Sequence, residues 1–426
     1  MTGHRELPRG SVVLPLVLAC AAGIAGIAPA AESAAPADQA KSILEATGVT
    51  GGLVVHLGCG DARLTAALRA GDAYLVHGLD ADADNVAKAR AHVRSLGLCG
   101  EVSVEQLTGK RLPYVDGLVN LVVVDEQGDV ATDEVMRVLA PGGVAYVRAG
   151  DGWKKHVKPR PDNTDEWTHM LYDATNNAVS KDDVVGPPHQ VQWIGDPRWQ
   201  RSHDHLASLS AAVSSGGRIF YIVDEAPVAA VVLEPRWKLV ARNAASGVVL
   251  WKRPIDQWQW HLRGFRSGPP DIGRRLVAVN DRVYVTLGIE APVSVLDAAT
   301  GETLDTYEGT EGTREILCDE GKLYLVAGEP GTGDVGMRSR KPGERPGLAA
   351  VFPQRPGYPE KPPKKRLIVL DAATGEVVWK KDDAETAELM PVTLAVSDGR
   401  LYFQNPDEIF CLEAATGKEV RPDEVH

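Results

Sequence analysis

A few short clusters in this 426-residue chain bring together side chains that could do chemistry. His56-Leu57-Gly58-Cys59-Gly60-Asp61 places two glycines and an acid directly after an apolar run, Asp80 closes the next apolar run, and Asp125 closes a later one. Glycines after a first strand let backbone approach a ligand, and an acid ending the second strand can accept hydrogen bonds from ribose hydroxyls, so this spacing suits a nucleoside-type cofactor. Asp125 is the only base candidate by position; an acidic helix cap is its other reading, and no catalytic residue is assigned. His203-Asp204-His205 would set two imidazoles on one face of a strand, with His169 or Asp165 as a third metal ligand if the intervening segment folds over. A solvated loop or a hydrogen-bonded strap is the preferred reading of the same run, and no metal site is assigned. Trp258-Gln259-Trp260-His261 offers rings for stacking a ligand or for packing between sheets.

The elements that must position these residues have two grammars. From Leu53 to Arg148, apolar runs alternate with helical segments: strands at 53–57, 74–79, 102–104, 118–124 and 144–148, helices at 62–69, 84–96 and 132–139. That alternation predicts a parallel sheet flanked by helices. No strand pair is evident after Arg148. Residues 151–200 form a bridge rich in Trp, Pro, His and Asp.

A repeat then takes over. Asn243-Ala-Ala-Ser-Gly247, Asp297-Ala-Ala-Thr-Gly301, Asp371-Ala-Ala-Thr-Gly375 and Glu413-Ala-Ala-Thr-Gly417 each follow an apolar run, with their glycines 54, 74 and 42 positions apart. Upstream of each lies a turn residue, a cation and an alternating strand, beginning at Gly217, Asp281, Gly321 and Gly399. Strand, tight glycine turn, strand is the plain reading. The shortest interval fits the ~40–50-residue period of a four-stranded propeller blade. A Pro/Gly/Lys/Arg-dense stretch at 329–366 cannot bury a core and reads as a disordered insertion in the third blade, its cations at Arg338–Lys341 and Lys361–Arg366 solvated.

Charge and composition narrow the class. A net charge of −12 argues against nucleic acid as a partner. His4, Arg5 and Arg9, an apolar run from Val12 to Ile27 and Ala28-Pro29-Ala30 have the layout of a signal peptide over 1–31. A lipoprotein processed at Cys20 or a single anchor is the alternative. Export to the periplasm or cell envelope, without a membrane span after signal removal, follows from the first reading. Cys59, Cys99, Cys318 and Cys411 show no CxxC spacing, so no zinc knuckle is expected.

The glycine loop, Asp80 and Leu139-Ala-Pro141-Gly-Gly143 together resemble class I S-adenosylmethionine-dependent methyltransferases. The resemblance implies a Rossmann-like domain at 40–150, with Gly58, Gly60 and Asp61 seating the methionine part of the cofactor and Asp80 the ribose. The chain departs from that pattern at His56, usually acidic, and at Ala62, commonly glycine. The repeat resembles the pyrroloquinoline-quinone (PQQ)-type propeller unit of quinoprotein dehydrogenases and BamB-like assembly factors. The resemblance implies a Trp four positions after the glycine that docks on the neighbouring blade. Trp251 and Trp379 match, whereas Asp305 and Arg421 do not. The expected architecture is an α/β methyltransferase-like domain plus an all-β partial PQQ-type propeller of about four blades at 201–426. Family propellers usually have eight blades, which leaves a truncated reading frame (preferred), a half-ring that dimerises, or a contracted ring. The expected function is binding or scaffolding of a protein or cell-envelope ligand by the propeller. S-adenosylmethionine-dependent methyl transfer is the alternative and quinoprotein-type oxidation the second; adjacent cysteines are lacking, so PQQ is not expected as cofactor.

Overall fold

A computed structural model describes residues 35–187, 191–196, 209–229, 233–256, 258, 272–328, 364–390 and 392–420. The expected signal segment, His203-Asp204-His205, Trp260-His261 and the cationic run Arg338–Lys341 lie outside the described residues.

Five parallel strands form the first layer: β1 (Gly52–Leu57), β2 (Tyr74–Asp80), β3 (Val102–Gln106), β4 (Val119–Val124) and β5 (Leu139–Ala149). A sixth, β6 (Gly152–Val157), pairs antiparallel with β5, giving the order β3-β2-β1-β4-β5-β6. The expected end of the sheet at Arg148 is therefore corrected. β6 reads Gly-Trp-Lys-Lys-His-Val and exposes most of its residues, so it lacks the alternation that marks a strand; lysines are common protection on a sheet edge. Helices cover both faces. Val54, Val76, Leu121 and Val123 pack on one side with Ala40 and Ile43 of α1 (Pro36–Thr47), Leu64 of α2 (Arg63–Ala67) and Val86, Ala89 and Val93 of α3 (Ala83–Ser95). Val55, Leu57, Val122 and Val124 pack on the other with Val135 and Val138 of α4 (Thr132–Val138). Continuous apolar strands buried on both faces are what a parallel sheet requires.

The second layer is a series of antiparallel sheets. β7 (Leu209–Ser215), β8 (Arg218–Asp224), β9 (Trp237–Asn243) and β10 (Val249–Pro254) make the first. β11 (Leu276–Val279), β12 (Arg282–Thr286), β13 (Val293–Asp297) and β14 (Thr303–Tyr307) make the second. β15 (Thr313–Asp319), β16 (Lys322–Gly328), β17 (Lys365–Asp371) and β18 (Val377–Lys381) make the third. β19 (Ala395–Ser397), β20 (Arg400–Gln404) and β21 (Ile409–Glu413) form a three-stranded fourth. Residues 329–363, between β16 and β17, lie outside the described residues; Lys365 is buried and donates to the Leu389 carbonyl. Lys365 belongs to β17, which corrects the expectation of a solvated cation at that position, while Lys364 is exposed as expected.

One joint repeats between sheets. In each corner the first alanine donates its N–H inside its own sheet: Ala244 to Gly217 O, Ala298 to Asp281 O, Ala372 to Gly321 O and Ala414 to Gly399 O. The carbonyl of the same alanine accepts from an aromatic of the preceding segment: Trp193 Nε1 at 2.8 Å, Trp251 Nε1 at 3.1 Å, Tyr307 Oη at 2.8 Å and Trp379 Nε1 at 3.0 Å, respectively. That ring lies against the corner glycine, where an added Cβ would come within 2.8 Å of it at Gly247, Gly301, Gly375 and Gly417, all at φ near +70°. Glycine is needed here twice over, for the backbone and for the ring. Tyr307, two positions beyond Asp305, fills the role that the Trp pattern left empty.

The segment expected to be a bridge is a hub. Trp167 to Asn176 crosses the first strands of the sheets in order: Ser214 N donates to Trp167 O (2.7 Å), Ala278 N to Thr168 O (3.0 Å), Cys318 N to His169 Nε2 (3.0 Å) and Val396 N to Ala174 O (2.8 Å). These strands lie side by side, β7 by β11, β11 by β15, β15 by β19. Their inner amides would otherwise be left without partners.

Candidate functional site

Strand order reverses between β1 and β4, and the crevice at the carboxyl ends of such strands is where a doubly wound sheet binds its ligands. A cavity of about 370 Å³ opens there, lined by Gln39, His56, Gly58 to Asp61, Leu64, Asp125, Glu126 and Arg148. A larger open depression of about 620 Å³ lies on the loop from Arg111 to Asp116; it holds none of the glycine-loop residues.

The loop is folded back on β2. Gly58 N and Cys59 N both donate to Leu79 O, and a Cβ on Gly58 would meet Glu126 N at 2.7 Å. Gly60, at φ +53°, has open space where a Cβ would be, so its backbone faces the cavity. Ala62 adopts φ +61° with no exposure, the left-handed conformation that glycine holds at little cost. Cys59 sits beneath the loop; burial, reinforced by Asp80, pushes its thiol up to about 12, which leaves it unreactive.

Asp80 and Asp61 are set differently. The Asp80 carboxylate is buried and accepts from Gly60 N (2.8 Å) through Oδ2 and from Asp82 N (2.9 Å) and Asn85 Nδ2 (3.3 Å) through Oδ1. One lone pair on Oδ2 remains for a hydroxyl. Asp61 is exposed and pairs with Arg63 at 2.9 Å.

A polar relay runs behind the cavity. His56, almost fully buried, contacts Thr65 Oγ1 through Nδ1 (2.8 Å) and Asp125 Oδ2 through Nε2 (2.9 Å). Arg148 donates to Asp125 Oδ1 at 2.6 Å, and its guanidinium stacks 4.6 Å from the Trp153 ring. Partial burial pushes the Asp125 carboxyl up, but His56 and Arg148 outweigh it and hold the group below the usual range. Asp125 is thus a clamped anion and a weak base, and its carboxylate stands next to the position where the family's acid is replaced by His56. In sequence His56 is the residue before the last of β1 and Asp125 the residue after β4, and it is the parallel register of those strands that brings the two together.

The remaining candidates do not join this site. Both ring nitrogens of His169 are engaged, with Thr168 Oγ1 (2.7 Å) and Cys318 N (3.0 Å). Asp165 accepts from Tyr172 Oη and Lys181 N. Trp258 is buried among Phe220, Ile272 and Leu276 and donates to Ser210 Oγ, so it packs between sheets and is not open for stacking a ligand. Among the described residues no group of three or more His, Cys, Asp or Glu is placed to hold a metal ion.

A glycine-loop crevice in a Rossmann-like sheet, followed by sheets joined at aromatic–glycine corners, defines a chain with a methyltransferase domain and PQQ-type propeller repeats. Comparison with known proteins agrees. Residues 54–143 match the family model described as methyltransferase domain, and residues 363–420 match that described as outer membrane protein assembly factor BamB. Among solved structures, the [4+2]-cyclase SpnF is 24% identical, covering 26% of this chain and 43% of its own, with a TM-score of 0.24. The YcgJ protein of Bacillus subtilis is 19% identical over 26% and 49%, with a TM-score of 0.23. A geranyl diphosphate C-methyltransferase from Streptomyces coelicolor A3(2) is 20% identical over 26% and 44%, with a TM-score of 0.24. The chain spans about half the length of these structures. No curated protein matches it. Among the described residues no helix is long and apolar enough to cross a membrane.

Proposed function

We propose that this protein is an exported binding or scaffold protein, in which the propeller-type array holds a protein ligand of the cell envelope. The observation that carries this reading is the likeness of residues 363–420 to an outer membrane assembly factor, which supports a polypeptide as the ligand. In the crevice Asp80 is tied to the glycine loop and Asp125 to His56 and Arg148, so neither is placed as a general base. The test is titration of a fluorescently labelled, unfolded outer-membrane β-barrel segment into the full chain. Saturable binding in the micromolar range, about −8 kcal/mol, is expected; no saturation by ~100 μM contradicts the proposal. Export is checked by mass spectrometry of the mature N-terminus.

Methyl transfer is the second reading, favoured by the polar cavity that the glycine loop leaves at the crevice. Gly58, Gly60 and Asp61 would hold the amino-acid end of S-adenosylmethionine and the free lone pair of Asp80 Oδ2 the ribose. When bound, the cofactor supplies an electrophilic methyl group. The chain's part is orientation, which suffices for a good nucleophile without a strong base. Calorimetry with S-adenosylmethionine decides: heat abolished by Asp80→Ala supports this reading, and no heat, or heat indifferent to that change, removes it.

A further inference from the structure

Most polar atoms of the crevice are already spent inside the protein. Gly58 N and Cys59 N donate to Leu79 O, and Gly60 N donates to Asp80 Oδ2. Residues 58–60 therefore keep no N–H for a ligand carboxylate. The Asp61 carboxylate accepts from Arg63 N (3.1 Å) and Arg63 Nε (2.9 Å), so its charge is balanced. His56, standing where the family usually has an acid, has both ring nitrogens engaged, with Thr65 and Asp125. Three side chains lining the same cavity remain open. Glu126 is exposed, and neither its carboxylate nor the Gln39 amide of α1 has a partner among the described residues. Arg148 gives Nε and Nη2 to Asp125 Oδ1, both at 2.6 Å, which leaves Nη1 to spare. Gly58 is what brings Glu126 to the loop: a Cβ there would meet Glu126 N at 2.7 Å and Glu126 Cβ at 2.8 Å. The Trp153 ring, 4.6 Å away, holds the Arg148 guanidinium in place.

One uncommitted anion and one cation with a spare donor, in a single cavity, match a zwitterion. We propose that Glu126 takes the ammonium and Arg148 the carboxylate of an α-amino acid head group carried by a nucleoside. This clamp deepens the methyl-transfer reading and rests on it. Gly58, Gly60 and Asp61 then form the wall against which the head lies, and Asp80 keeps the ribose. With the acid of position 56 replaced by a histidine that is itself tied up, recognition of the head passes to the residue after Asp125 and to β5. Each charge of the head meets its opposite, so none is left unpaired in the crevice.

Calorimetry of the full chain with two probes of neutral sulfur tests the clamp. S-adenosylhomocysteine carries the amino-acid head, and 5′-methylthioadenosine lacks it. Glu126→Gln and Arg148→Gln are each expected to weaken S-adenosylhomocysteine about tenfold or more, as loss of a charged hydrogen bond implies, and to leave 5′-methylthioadenosine unchanged. Asp80→Ala should weaken both probes. Binding that depends on Asp80 but is indifferent to Glu126→Gln would overturn the clamp and leave the methyl-transfer reading standing. Equal weakening of the two probes by Glu126→Gln would also overturn it. A parent chain that binds neither probe removes the reading and the clamp together. Arg148 also pairs with Asp125, so Arg148→Lys replaces Arg148→Gln should the latter change the circular dichroism; weakening confined to S-adenosylhomocysteine is again expected, and equal loss of both probes counts against the clamp.

Discussion

At the scale of single residues, conformation and protonation decide most. Ala62 holds a left-handed conformation at φ +61° that costs a residue with a Cβ about 1–2 kcal/mol. Ala62→Gly is expected to raise stability by about 0.5–1 kcal/mol in urea unfolding, after the entropy of the more flexible unfolded chain is discounted. His169 gives a pH dependence. Burial lowers its pKa to about 4 from the ordinary 6.5, against a smaller opposing effect of Asp173. Between those values the unfolded chain binds a proton that the folded chain does not, so stability falls as pH drops from 6.5 towards 4 and levels off below. The loss amounts to roughly 3 kcal/mol, and His169→Gln should flatten that part of the stability–pH profile. A stability unchanged by pH in the parent over this window would contradict the buried, neutral imidazole. The glycine loop and Asp80 were legible because their spacing is dictated by close backbone approach. The clamp on Asp125 was not, because it depends on the parallel register that brings β1 beside β4.

At the scale of elements, the corner joint bears the array. Gly301→Ala forces a Cβ into the Trp251 ring at a positive φ and should cost on the order of 2–4 kcal/mol. Tyr307→Phe removes only the hydroxyl donated to Ala372 O and should cost about 1 kcal/mol. Equal effects of the two substitutions in thermal unfolding would contradict the geometry. The buried pair of Arg274 and Glu315, 2.6 Å apart, ties the turn before β11 to β15. Glu315→Gln removes its negative charge and should cost about 3–5 kcal/mol. The repeat was readable in sequence because turn residues are fixed by local backbone chemistry. The hub was not: Trp167 to Asn176 has no periodicity, and its role comes from which amides it meets across the first strands of the sheets. The short, lysine-bearing β6 escaped for a related reason, as pairing with β5 holds it more than its own pattern does.

At the scale of the whole molecule, the two modules meet away from the crevice. Ser246 of the first corner donates to Asn120 Oδ1 at 2.9 Å, at the amino-terminal end of β4, while the glycine loop lies at the carboxyl ends of the strands. Serine in place of the threonine of the other copies leaves out a methyl group at this contact. A ligand on the array and a cofactor in the crevice would therefore occupy separate surfaces. Hydrogen-exchange mass spectrometry of the full chain, with and without a saturating unfolded β-barrel segment, tests that separation most directly. Slowed exchange is expected in segments of 209–328 and 364–420, with none at 58–61 or 125–148. Protection confined to the glycine loop and to Asp125–Arg148 would contradict it.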